Sequence, residues 1–264
     1  MAQVLSASWP KFAARLWMAT GDHGLAAIAY APCRINALVA DGIPISLEVD
    51  TSYPFNEDIT IHIHPSKPAR FPLKLRMPGW CDAPKVNVNG ENQSIAKNTS
   101  NGFVTLDREW QDGDTVQLTL PMEVRIERRA NAAVGVQRGP LAYTLAIEER
   151  WQKLRGVHSY PDWEVYPETA WNYGLHIDRE SPDTSFRVQT SPLARQPFAA
   201  KDAPVRLISK GQRIPTWTIE ANSADTPPIS PVMTDEPEEE VVLVPYGSAR
   251  LRIAEFPVIS GVKR

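Results

Sequence analysis

Cysteine and histidine are the side chains that most readily hold a metal or act as nucleophile and base, and this sequence is sparing with both. Its two cysteines are Cys33 and Cys81, and its five histidines are His23, His62, His64, His158 and His176. A structural zinc site takes about four ligands, usually in close Cys or His pairs. Only His62 and His64 are close, and at strand spacing they share a face. A metal pair there is one reading, and an exposed strand face is the plainer one. The spacing of the cysteines does not decide between one disulfide and two free, partly buried thiols, of which the second is the simpler. Sugar hydrolysis would need a pair of carboxylates. Glu48, Asp50, Glu57 and Asp58 fall where strands and turns meet solvent, and no diagnostic pair stands out. Phosphate-cradling glycine loops and the GxSxG nucleophile elbow are missing from the sequence. No complete active site can be assembled from these residues.

The aromatic residues are the stronger signal. Trp151, Tyr160, Trp163, Tyr166, Trp171 and Tyr173 crowd one stretch, Trp151 to Leu175, that shows no clear periodicity and reads as a loop. Aromatic faces stack on the apolar faces of sugar rings, and loops on a rigid scaffold often bind ligands. Alternatively the rings close an apolar seam between domains, which is the simpler reading. The candidate substrate-binding residues are Trp163, Tyr166, Trp171, Asn172 and Tyr173. Trp171 and Tyr173 are expected to pack between the sandwiches, with Asn172 between them holding the backbone through side-chain hydrogen bonds. Trp163 and Tyr166 are the better candidates for an outward role.

The elements that must position these residues are strands. Ile45, Leu47 and Val49 alternate with Ser46, Glu48 and Asp50, and Ile59, Ile61 and Ile63 alternate with Thr60, His62 and His64. That is the period-2 pattern of strands with one wet face. Asp41-Gly42, Asn89-Gly90 and Asp112-Gly113-Asp114 read as turns. Short strands at intervals of about ten residues, with turns between them, predict antiparallel sandwiches. Residues from Trp9 to Thr20 read as one helix, with Phe12 and Leu16 on a shared face and Pro10 in its first turn. A second loop is expected over Ala221–Pro237, and the acidic run Asp235–Glu240 as a solvated loop. The fold class is therefore all-β, with two antiparallel β-sandwich domains after one short helix. The expected divisions are 1–24 for the helix and linker, 25–123 for the first sandwich and 124–264 for the second.

Composition limits the partners. A length of 264 residues favours two domains. Lys plus Arg at 28 against Asp plus Glu at 31 gives a net charge of −3, with no basic field for nucleic acid. No apolar run approaches the ~18–20 residues of a membrane span. Met1 to Pro10 lacks the basic start and apolar stretch of a signal peptide. Localisation stays open.

Several segments together resemble the C-terminal part of glycoside hydrolase family 127, the β-L-arabinofuranosidase-like enzymes. They are LKLRMPGW from Leu73, VNVNG from Val86, GFVTLDREWQDGDTVQLTLPMEVR from Gly102, VGVQRGPLAYTLA from Val134, WNYGL from Trp171, ADTPPISPV from Ala224 and VLVPYGSARLRIAEFPV from Val242. The resemblance implies an (α/α)6 barrel carrying the active site, followed by two β-sandwiches, and this chain corresponds to the sandwiches. FAARLWM, Phe12–Met18, resembles the last barrel helix. The family's zinc-bound nucleophilic cysteine would fall at or before Met1, and Ala2 to Ser8 do not continue that motif. Neither Cys33 nor Cys81 matches the nucleophile, so the resemblance assigns no catalytic residue and no metal site here. Zinc would belong to the intact enzyme. The implied partner is the barrel itself or, without it, self-association through Phe12, Leu16, Trp17 and Met18 of the helix. Carbohydrate is a further candidate partner. The alternative function is a stand-alone carbohydrate-binding module.

Overall fold

The computed structural model describes residues 10–95, 99–157 and 160–260. The readings of Met1–Trp9 and of His158 lie outside them. The chain divides into two compact units, Met1–Met122 and Glu123–Arg264. Among the described residues no helix is long and apolar enough to cross a membrane.

The first unit carries β1 (Trp17–Ala19), β2 (Leu25–Ala27), β3 (Cys33–Val39), β4 (Ile43–Thr51), β5 (Asp58–Pro65), β6 (Ala69–Arg76), β7 (Lys85–Val88), β8 (Glu91–Asn92), β9 (Thr99–Ser100), β10 (Phe103–Trp110) and β11 (Asp114–Thr119). They form two sheets, ordered β1-β2-β6-β10-β9 and β3-β4-β5-β11-β7-β8. The alternation in β4 and β5 holds residue by residue. Ile45, Leu47, Val49, Ile59, Ile61 and Ile63 are buried, while their polar neighbours face outward. They meet Phe71, Leu73, Leu75, Val104, Leu106 and Trp110 in one core. Trp110 buries its ring yet loses no hydrogen bond, because its Nε1 donates to the Phe71 carbonyl at 3.0 Å. Asn89 and Gly90 both have positive φ and close the β7–β8 hairpin, as the sequence predicts.

Two expectations need correction here. The helix over Trp9–Thr20 is confined, among the described residues, to residues 10–13. Trp17–Ala19 form β1, paired antiparallel with β2. Trp17 is buried in the first unit's core and Leu16 packs against that core. Pairing with Leu25–Ala27 and burial of the indole therefore outweigh the weak helical spacing of Phe12 and Leu16. The expected apolar helical face for self-association is reduced to Phe12 and Met18, both exposed. The second correction is that β2 runs parallel to β6, with Leu25 opposite Leu73. A parallel pair needs a long crossover, and β3, β4 and β5 supply it. Gly24 opens this pair because a Cβ there would sit 2.1 Å from the Pro72 carbonyl oxygen.

The second unit carries β12 (Val124–Arg128), β13 (Val134–Arg138), β14 (Leu141–Leu145), β15 (Glu149–Val157), β16 (Tyr160–Pro167), β17 (Tyr173–Leu175), β18 (Arg187–Thr190), β19 (Val205–Arg213), β20 (Ile219–Glu220), β21 (Ser223–Ala224) and β22 (Glu238–Pro245). Its main sheet is antiparallel, ordered β12-β13-β14-β22-β19-β17, with β18 also on β19. The C-terminal segment ties distant strands of this sheet together. Val134 and Phe256 exchange backbone hydrogen bonds, while Leu175 donates to the Pro257 carbonyl and accepts from Ile259. Asp235–Pro237 are the expected loop, but the rest of the acidic run is strand. Glu238, Glu239 and Glu240 open β22 opposite Gln212, Gly211 and Lys210. Lys210 and Arg187 pair with Glu238 and Glu240, which offsets the repulsion of three adjacent carboxylates. Within the second expected loop, Ala221 and Asn222 take positive φ as the turn between β20 and β21.

Candidate functional site

The stretch Trp151–Leu175 is also not a loop. Most of it is the hairpin β15–β16, which pairs with itself and with no strand of the main sheet. Both faces of the hairpin are largely exposed, so neither strand shows the alternation of a half-buried element. Its rings contact one another and nearby arginines. Trp151 and Trp163 meet edge-on with centroids 6.1 Å apart. The Arg250 guanidinium lies over Trp151 and that of Arg150 over Tyr166. The Tyr166 hydroxyl donates to Glu164 at 2.7 Å, and that carboxylate raises the phenol's pKa. Trp163 remains 50% exposed and Tyr160 82%.

Beyond the hairpin the chain turns inward. Trp171 packs edge-on against buried Trp217, with centroids 5.3 Å apart. The Asn172 side-chain amide donates to the carbonyls of Ile214 at 2.9 Å and Trp217 at 3.2 Å. It thereby locks its own backbone to the segment that carries the second ring. Tyr173 starts β17, half-buried, and its hydroxyl donates to Glu239 at 2.9 Å. Burial first, then that carboxylate, pushes its pKa up to about 12.

The five candidates are thus divided. Tyr166 and Trp171 line one cavity of about 480 Å³, whose wall also includes Glu164, Ile219, Arg250 and Arg252. Tyr173 lines a different cavity, together with Trp151. Trp163 stands on the exposed hairpin, and Asn172 holds backbone. A further cavity of about 510 Å³ is lined by Tyr143, Trp217, Tyr246, Arg252 and Glu255. Sequence reasoning did not pick these residues. They come from stretches far apart in the chain, and only the fold brings them together.

The metal question can be tested on the residues themselves. Among the described residues no group of three or more His, Cys, Asp or Glu converges. Cys81 is buried in the first unit's core, Cys33 is half-buried on β3, and no disulfide joins them. Burial, only partly opposed by the neighbouring Trp17 indole, raises the Cys33 pKa and keeps it a thiol. His64 Nδ1 sits 2.7 Å from Asp112 Oδ1 on an exposed face. These residues do not fit a zinc site.

Residues 24–122 match the family model described as the middle domain of GH127 β-L-arabinofuranosidase. No curated protein matches the chain. Its fold is similar to solved structures. One is a GH127 β-L-arabinofuranosidase from Geobacillus stearothermophilus T6, with TM-score 0.65 and 22% identity, covering 92% of this chain and 34% of that one. Another is described as a glycoside hydrolase, with TM-score 0.62 and 20% identity over 91% of this chain and 37% of that one. A third is a GH127 β-arabinofuranosidase, with TM-score 0.60 and 20% identity over 90% of this chain and 35% of that one. The chain therefore spans about a third of the length of these structures.

Proposed function

We propose, from the resemblance of residues 24–122 to a GH127 middle domain, that this chain is the non-catalytic β-sandwich part of a glycoside hydrolase of the β-L-arabinofuranosidase kind. Its role is to support a catalytic barrel. The observation that carries this reading is the coverage. Nearly all of this chain aligns with the similar structures, yet two-thirds of each of them lies outside the alignment. The exposed hairpin β15–β16 supports the same reading. A two-stranded ribbon with aromatic rings on open faces is marginal in water and gains from a covering partner. In this proposal zinc and the nucleophilic cysteine belong to the barrel. Reading the transcript 5′ of the Met1 codon tests the proposal. An in-frame or frameshifted helical barrel sequence is the expected result, and unrelated sequence with its own terminator would contradict it.

A further inference from the structure

We infer that the second unit binds a neutral oligosaccharide along a two-lobed groove, made by the 480 Å³ and 510 Å³ cavities together. Ser223, Ala224, Arg252 and Ile253 line both cavities, so the two adjoin across that saddle. Each has the volume of a small-molecule site, about 300–1,000 Å³. The linings have the mixed character that a sugar requires. Tyr166 and Trp171 give aromatic surface to the first lobe and Tyr246 to the second, whose floor is closed by the buried Tyr143 and Trp217. Ring faces match the C–H faces of sugars, and the polar groups between them match the hydroxyls.

Charge in the groove is balanced, which points away from an anionic ligand. Across the two lobes together, Arg129, Arg250 and Arg252 are matched by Glu164, Asp225 and Glu255. Outside the hairpin, the surface is also held in place before any ligand arrives. The Trp217 indole Nε1 donates to the Asp225 carbonyl at 2.7 Å, and Asn172 holds the Trp217 carbonyl. Arg252 Nε donates to the Ala249 carbonyl at 2.8 Å while its guanidinium lies 4.5 Å from the Tyr246 ring centre. Fixed rings and fixed donors lower the ordering cost of binding.

One group in this lining lacks what it needs. Tyr143 is 1% exposed, and its hydroxyl has no hydrogen-bond partner among the described residues. Buried hydroxyls are rarely left so, because the lost hydration is not replaced. A sugar hydroxyl in the second lobe would supply the partner. Burial pushes the Tyr143 pKa up to about 12, so the phenol keeps its proton at neutral pH and can donate.

The experiment is titration calorimetry of the full chain with cellotetraose, xylotetraose and arabinotetraose, and with the matching disaccharides. Saturable one-to-one binding of at least one tetrasaccharide is expected, several-fold tighter than its disaccharide because the longer chain reaches both lobes. Tyr143→Phe, which removes only the hydroxyl, and Glu164→Gln in the other lobe should each weaken it by about two- to tenfold, the scale of one hydrogen bond. Val188→Ala, exposed on β18 and outside both linings, should leave it unchanged. Melting curves confirm that each variant is folded. No binding of any probe at millimolar concentration would overturn the inference. So would binding that ignores both Tyr143→Phe and Glu164→Gln. The assay reads binding by the chain alone, so its failure leaves the support role untouched.

Discussion

Trp171, Asn172 and Trp217 show how three residues fix a junction. Two rings meet edge-on, and one amide holds two carbonyls of the opposite segment. Truncating Trp171 removes the ring contact and opens a cavity beside Ile214 and Ile259. Trp171→Ala is expected to cost about 3 kcal/mol, the lower end for large buried rings, because this one is only half-buried. Trp163→Ala, on the open hairpin, should move the melting temperature little. Paired thermal melts check this, and equal, negligible shifts would refute the packing role of Trp171. That Trp171 packs against other side chains and that Asn172 holds backbone were legible in the sequence, but the partner of Trp171, Trp217 of the same unit, was not. An amide between two aromatics in a short WNYGL run has few other uses. Tyr166 and Trp171 apart, the groove residues were not legible. Tyr143, Trp217, Arg250 and Arg252 carry no local pattern, and only long-range strand pairing collects them.

At the scale of elements, legibility followed solvent. β4 and β5 each keep one face wet and one buried, so their alternation could be read directly. The hairpin β15–β16 has no buried face, so nothing in its hydrophobic pattern marked it as strand. Trp17 was misread for a related reason. In the short apolar run Leu16-Trp17-Met18, helical and extended spacing both fit, and pairing with β2 decides. The hairpin also differs from the main sheet in stability. It has no neighbouring strands, whereas β19 and β22 pair on both edges. Local opening should therefore be easy in the hairpin and costly in the sheet. Hydrogen exchange is expected to be fast across residues 150–157 and 160–166 and slow in Leu207–Ser209 and Val241–Val244. Equal protection in both regions would contradict an isolated ribbon.

At the scale of the molecule, two tyrosines of the second unit link folding to alkaline pH. Tyr143 and Tyr173 are both pushed from the ordinary 10.0 up to about 12, chiefly by burial, with Glu239 adding to the effect at Tyr173. The folded state then holds phenolic protons more tightly than the unfolded chain. Their stabilisation is complete below pH 10.0 and is lost as pH rises toward about 12. Chemical denaturation between these limits should show falling stability, and Tyr143→Phe should flatten the fall. A curve with the same slope in the variant would remove Tyr143 from the account.

On the proposed reading, this chain supports a glycoside hydrolase without performing the hydrolysis. The purified chain, with and without added zinc, should be assayed against an aryl β-L-arabinofuranoside. No turnover above the buffer rate is the predicted result. Turnover that survives repurification and disappears on substituting Cys33 or Cys81 would contradict it.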